Sequence, residues 1–230
     1  MSLPESVVVV GTGQGGYQVA ASLREGGFEG PITLVGDEAG LPYQRPPLSK
    51  AYLTGKTDEA GLMLRAPAFY AERRIEIAAS DRAVAIDRDA RILSLASGRV
   101  LPYGHLVLAT GARNRLLPVP GAELAGVAYL RSREDADLIR AALDGLRRIV
   151  VIGAGFIGLE FAAVAAARGI DVTVMEATSR PMSRALSAPM SAFFHEAHEA
   201  AGLRLRFGAV VTRIMGDGGR ATAIETGEGE

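Results

Sequence analysis

One plan occurs twice in this chain: a short apolar strand, a glycine-rich turn, a helix, and a second apolar strand followed by an acidic residue. In the first copy, residues 6–10 run into Gly11-Thr12-Gly13-Gln14-Gly15-Gly16. Residues 17–24 then carry apolar side chains at helical spacing, Gly26 and Gly27 stop the helix, and residues 32–35 lead to Asp37. In the second copy, residues 149–152 run into Gly153-Ala154-Gly155-Phe156-Ile157-Gly158. Residues 159–168 form an alanine-dense helix capped by Gly169, and residues 172–175 lead to Glu176. Continuous β-branched runs without alternation predict strands buried on both faces, as in parallel sheets.

Two β-α-β units in this order predict an α/β fold with two Rossmann-like dinucleotide-binding units, the FAD/NAD(P)-binding fold, accompanied by short antiparallel strands. A lone Gly-x-Gly-x-x-Gly closes many ordinary turns, but here each match directly follows a strand and opens a helix. The chemistry requires that setting. The first glycine makes the tight turn, the second admits a pyrophosphate to the backbone, and the third lets helix and strand pack closely. The helix amino end then offers free N–H groups and a positive dipole. Gly11, Gly13, Gly15 and Gly16 are the candidate residues of the first cradle, and Gly153, Gly155 and Gly158 those of the second. Asp37 and Glu176 are the acids expected to hydrogen-bond a ribose hydroxyl, in register with the two motifs. Glu176 would also repel a 2′-phosphate, which favours NADH over NADPH.

Residues 75–78, 83–86, 92–95 and 106–109 read as short strands between the two units, and 106–109 as a buried one ending in Thr110-Gly111. After the second unit, residues 188–201 read as a helix and 203–207, 209–215 and 221–225 as strands, with Gly216-Asp217-Gly218-Gly219 as a hairpin turn. The stiff Leu117-Pro118-Val119-Pro120-Gly121 suits a crossing between domains. The expected division is an FAD-binding domain over residues 1–115 and an NAD-binding domain over residues 116–230.

Composition removes several classes. With 48% hydrophobic and 22% charged residues the chain is of ordinary globular type, and its net charge of -1 gives no case for a nucleic-acid partner. No apolar run approaches the roughly 20 residues of a membrane span. A cytoplasmic, soluble protein is expected. The 230 residues contain no cysteine, which excludes a thiol relay, a disulfide or thiolate metal ligation within them. His195 and His198 form a His-x-x-His pair on one predicted helix, but no acidic motif accompanies them, and no metal site is expected.

The ordered set of the leading glycine motif, Leu41-Pro42-Tyr43-Gln44-Arg45-Pro46-Pro47-Leu48-Ser49-Lys50, the strand ending in Thr110-Gly111, the Leu-Pro-x-Pro-Gly crossing and the second glycine motif resembles the ferredoxin and rubredoxin reductases of the putidaredoxin reductase type. These are two-dinucleotide-binding flavoproteins of the pyridine nucleotide-disulphide oxidoreductase superfamily. The resemblance implies FAD on the first unit, NAD(H) on the second, and a [2Fe-2S] ferredoxin or a rubredoxin as electron acceptor. It also implies that Gly13, Gly15, Asp37 and Arg45 serve FAD, that Lys50 lies near the flavin ring, and that Val84, Thr110, Gly111 and Arg131 border the flavin cofactor. On the second unit it implies that Gly155, Ile157, Gly158, Glu160, Glu176 and Arg184 serve NAD(H). Lys50 and Glu160 are the expected catalytic pair, meeting within salt-bridge or one-water distance at the domain boundary, with Glu160 on the first turn of its helix. Arg45, Arg65, Arg73, Arg74 and Arg113 are candidates for a basic rim that steers an acidic acceptor.

Members of that family continue into a strand bearing a Gly-Asp motif and a carboxy-terminal interface domain. The resemblance therefore implies a C-terminally truncated chain, with residues 226–230 beginning a further turn. Two alternatives to an active reductase follow: a non-catalytic or signalling flavoprotein of the apoptosis-inducing-factor type, and an inactive fragment.

Overall fold

The structure, a computed structural model, describes residues 5–227. Residues 228–230 of the turn expected over 226–230 lie outside the described residues. The chain forms two compact units. The first comprises the chain up to Arg45 together with Thr57–Arg113, and the second Pro46–Lys56 together with the chain from Asn114 onward.

The first unit begins β1 (Val7–Val10), α1 (Gln14–Glu25) and β2 (Ile32–Val35), as the apolar runs and glycine stops predict. Two short helices follow, α2 (Glu59–Leu62) and α3 (Pro67–Glu72), then β3 (Ile75–Ala78), β4 (Ala83–Asp87), β5 (Ile92–Leu95), β6 (Val100–Pro102) and β7 (His105–Leu108). A parallel sheet in the order β3-β2-β1-β7 forms the centre, with Val10 level with Val35 on one side and Leu108 on the other. Successive residues of β1 point to opposite faces. Val7 and Val9 accordingly enter a cluster with Tyr17, Ala20, Ile32 and Leu34, while Val8 enters another with Val35, Leu93, Leu95 and Leu101. Each fully buried Val, Ile or Leu of this kind contributes about 1.5–3 kcal/mol.

The strands over 75–78 and 106–109 belong to the parallel sheet, and β4-β5-β6 is a separate antiparallel sheet. One expectation is corrected: the strand before Thr110 is not a buried one. β7 is the last strand of its sheet, and Leu108 is 62% exposed. An apolar run fixes a strand's composition but not its place in the sheet.

The second unit contains α4 (Arg133–Leu143), β8 (Arg148–Ile152), α5 (Phe156–Ala167), β9 (Asp171–Glu176), α6 (Ala188–Ala200), β10 (Arg204–Phe207), β11 (Val211–Asp217) and β12 (Arg220–Thr226). β10-β9-β8 is a parallel sheet. β11 and β12 form a hairpin closed at Gly218 and Gly219, both at positive φ, so Gly216-Asp217 belongs to a hairpin as expected. The alanines of α5 bring that helix close to the sheet: Leu159, Ala162 and Ala165 are buried against Val151, Val172 and Val174.

The segment Pro46–Lys56, which sequence order places in a first domain of residues 1–115, packs with the second unit. Leu53 is wholly buried in that unit's core, and its carbonyl accepts from Arg168 Nη2 at 2.8 Å. Tyr52 donates its hydroxyl to Asp137 Oδ1 at 2.8 Å and lies under the Arg140 guanidinium, 4.9 Å from the ring centre. Nothing in the segment's own periodicity announces these partners, which come from α4 and from the end of α5.

Candidate functional site

The two glycine turns share one construction. The third glycine of each motif packs on the first. A Cβ on Gly16 would stand 1.8 Å from the Gly11 carbonyl oxygen, and one on Gly158 would stand 2.2 Å from that of Gly153. The middle glycine is different. A Cβ at Gly13 or Gly155 would meet no protein atom within 4 Å, so these positions border open space at the amino ends of α1 and α5. Closed packing behind and open backbone in front is what a dinucleotide pyrophosphate requires, and both turns fit that group. Gly15 lies on the first turn of α1, with its missing Cβ position 3.8 Å from Ala109 Cβ.

The acids are not in equivalent register, which corrects the expectation. Gly11 N donates to Val35 O and Gly153 N to Met175 O, each at 2.7 Å, so the counterpart of Glu176 in the first unit is Gly36. A Cβ at Gly36 would fall 2.4 Å from Thr12 Oγ1, whereas Ala154, the counterpart of Thr12, leaves room for Glu176. The first acid is thereby displaced to Asp37, which is half exposed and paired with Arg113 at 3.2 Å. Glu38, one residue on, binds the Tyr43 hydroxyl and Arg45. That ion pair and hydrogen bond overcome the effect of burial and hold the Arg45 guanidinium above its ordinary pKa.

Glu176 lies against the second turn. Its Oε2 accepts from Ala154 N and its Oε1 from Thr178 N, both at 2.8 Å. Burial alone would raise its pKa. The hydrogen bonds from Thr178 and Ala154, with the Arg184 charge, outweigh it and hold the carboxyl below its ordinary value. Glu176 and Arg184 line one cavity of about 360 Å³ together with Gly155, Phe156, Thr178 and Ser183. Phe156 and Ile157, on the first turn of α5, are about half exposed.

Lys50 and Glu160 meet. Lys50 Nζ is 2.6 Å from Glu160 Oε2, and the same oxygen accepts from Ser49 Oγ at 2.6 Å. Both residues lie in the second compact unit. Glu160 is also the fifth residue of α5, beyond its first turn, so the helix dipole does little for it.

Other expected site residues are dispersed. Val84 is on β4 and 59% exposed. Thr110 and Gly111 follow β7, with Gly111 at positive φ. Arg131 precedes α4 and donates its backbone N–H to Asp135 Oδ2 at 2.8 Å. Of the arginines named for a basic rim, Arg65 lies over Tyr17 and Phe69, Arg73 over Phe69, Arg45 pairs with Glu38 and Arg113 with Asp37. His195 Nε2 is 3.2 Å from Glu199, while His198 Nδ1 contacts the Phe194 carbonyl at 2.6 Å. The two rings have different partners. Sequence reading missed Ser49, Thr178 and Arg180; only the Ser49-Lys50 adjacency signalled any of them. Among the described residues no helix is long and apolar enough to cross a membrane.

Residues 5–230 match the family model of the pyridine nucleotide-disulphide oxidoreductases. The chain belongs to that family. It is 50% identical to rhodocoxin reductase of Rhodococcus erythropolis over 98% of its own length and 53% of that protein's. Against putidaredoxin reductase of Pseudomonas putida it is 44% identical over 92% of this chain and 51% of the relative. The fold is similar to the crystal structure of a ferredoxin reductase for the CYP199A2 system from Rhodopseudomonas palustris, with a TM-score of 0.95, 48% identity, and coverage of 98% of this chain and 56% of that one. It also resembles the covalent putidaredoxin reductase–putidaredoxin complex, with a TM-score of 0.94, 41% identity, and coverage of 100% and 56%. The chain spans about half the length of the curated relatives it matches. The 230 residues carry both glycine motifs and no cysteine.

Proposed function

We propose that this chain supplies the FAD- and NAD(H)-binding units of a cytoplasmic oxidoreductase that passes electrons from NADH through flavin to a [2Fe-2S] ferredoxin or a rubredoxin. The observation that carries the reading is the pair of glycine turns, each closed behind and open in front, in a chain similar to rhodocoxin, putidaredoxin and ferredoxin reductases. FAD, when bound, supplies the chemistry of accepting a hydride and releasing electrons singly. The protein's residues bind and orient. Backbone at Gly11, Gly13, Gly15 and Gly16 would hold the FAD pyrophosphate, with Asp37 toward its ribose and Arg45, Val84, Thr110, Gly111 and Arg131 bordering the cofactor. Gly153, Gly155, Ile157 and Gly158 would do the same for NAD(H), with Glu176 and Arg184 at the adenosine ribose.

In this reading Lys50 is the cation serving the flavin ring. Glu160 neutralises it and, with Ser49, fixes where its ammonium sits. Glu176 bars a 2′-phosphate by charge, since its carboxylate is held ionised by two amide hydrogen bonds. The test is spectroscopic. After incubation with FAD and removal of free cofactor, the protein should show the visible absorption of bound flavin, and anaerobic NADH should bleach it. A colourless protein, or bound flavin indifferent to NADH, overturns the reading.

A further inference from the structure

The wall of the second-unit cavity that carries Ser183 and Arg184 is a loop between β9 and α6, and one side chain ties that loop together. Arg180 Nη1 donates to the Leu186 carbonyl at 2.7 Å and to Ser191 Oγ at 2.5 Å, while its Nη2 donates to the Ser183 carbonyl at 2.9 Å. Its own carbonyl accepts from Thr178 Oγ1 at 3.0 Å, and Thr178 Oγ1 accepts from Ser183 Oγ at 3.1 Å. Ser191 is wholly buried and donates onward to the Pro181 carbonyl at 2.8 Å. Every side-chain acceptor of Arg180 is neutral and lies within the loop or at the start of α6. A lysine has one point-like head and cannot reproduce this fork.

The loop needs such a tie. Met182 is buried and sits at φ +49°, a left-handed conformation that a residue with a side chain holds only where its surroundings impose it. Its N–H donates to the Ala154 carbonyl at 2.9 Å, the same residue whose N–H holds Glu176. The strained turn is therefore docked on the glycine loop itself, and Thr178 belongs both to the knot and to the Glu176 hydrogen-bond pair.

We propose that Arg180 is a positioning residue for nucleotide binding: it preforms the 178–187 loop so that Ser183 and Arg184 line the cavity beside Glu176 before nucleotide arrives. A ligand entering a preformed wall avoids the cost of ordering it. The inference rests on the reading of this cavity as the NAD(H) site. Arg180 itself is not among the residues lining the cavity, so its effect must pass through those that do.

The test is a double-mutant cycle read by calorimetric titration of the 230-residue chain with NADH and with ADP-ribose. Arg180→Met and Arg180→Lys should each weaken both ligands about 10-fold, with the Lys variant failing to rescue. In an Arg184→Ala background the same Arg180 substitutions should cost less than about 3-fold, because the side chain they position is already gone. Circular dichroism checks that each variant is folded. Losses that add independently, unchanged affinity in a folded Arg180 variant, or unfolding of the second unit by both substitutions would make Arg180 a structural residue only and overturn the proposal. If the wild-type chain binds neither NADH nor ADP-ribose, the nucleotide reading fails first and this inference with it.

Discussion

Glu160 Oε2 takes two donors at once, Lys50 Nζ and Ser49 Oγ, each at 2.6 Å. The lysine is half exposed and the glutamate about a third, so water screens the pair. A pair this exposed contributes little to stability. Lys50→Met should change the unfolding free energy by less than about 1 kcal/mol, measured by urea denaturation, because Glu160 keeps Ser49 and stays solvated. A loss of several kcal/mol would show a pair far more desolvated than the geometry allows.

The glycines separate binding from folding. Gly13→Val and Gly155→Val project into open space and should leave thermal stability nearly unchanged while abolishing retention of the respective dinucleotide. Gly16→Ala and Gly158→Ala instead drive a Cβ onto a carbonyl oxygen and should cost upward of about 2 kcal/mol even without any ligand. Differential scanning calorimetry with and without FAD or NADH distinguishes the two classes. Equal destabilisation by all four would contradict the assignment.

Leu53 tests where the Pro46–Lys56 segment belongs. It is wholly buried among second-unit residues, so Leu53→Ala should destabilise that unit by about 2–5 kcal/mol. Hydrogen exchange should rise in α5 and β9 and not in β1 or β2. Exchange rising in β1 and β2 would return the segment to the first unit.

The pH dependence follows from Glu176, whose folded pKa lies below its ordinary 4.5. A depressed carboxyl contributes stability that is present above the unfolded value and is lost as pH falls through the folded value. Second-unit stability should thus decline on acidification below about pH 4.5, and Glu176→Gln should flatten part of that decline. Identical acid profiles for wild type and variant would show that the two amide hydrogen bonds do not hold the charged form.

Both cradles were legible because their signal is local. Strand, glycines and helix follow one another within the chain, and the middle glycine of each turn borders open space. The one-residue offset of Asp37 relative to Glu176 was not legible, because it reflects Thr12 filling the position in front of Gly36, a side-chain clash that spacing cannot reveal. Helix α4 was missed although Ser132 and Asp135 form a reciprocal capping box and Ala136, Ile139 and Leu143 recur at helical spacing. The home of Pro46–Lys56 was invisible for another reason: Tyr52 and Leu53 find Asp137, Arg140 and Arg168 at sequence separations of 85 to 115. The Arg180 knot is equally silent in sequence, since most of its acceptors are carbonyls that any residue supplies.

Titration of the chain with NADH and NADPH tests the second cradle most directly. One NADH site per chain is predicted, with NADPH at least about 10-fold weaker because a 2′-phosphate meets the Glu176 carboxylate. Absence of NADH binding, or NADPH binding as tight or tighter, would contradict it.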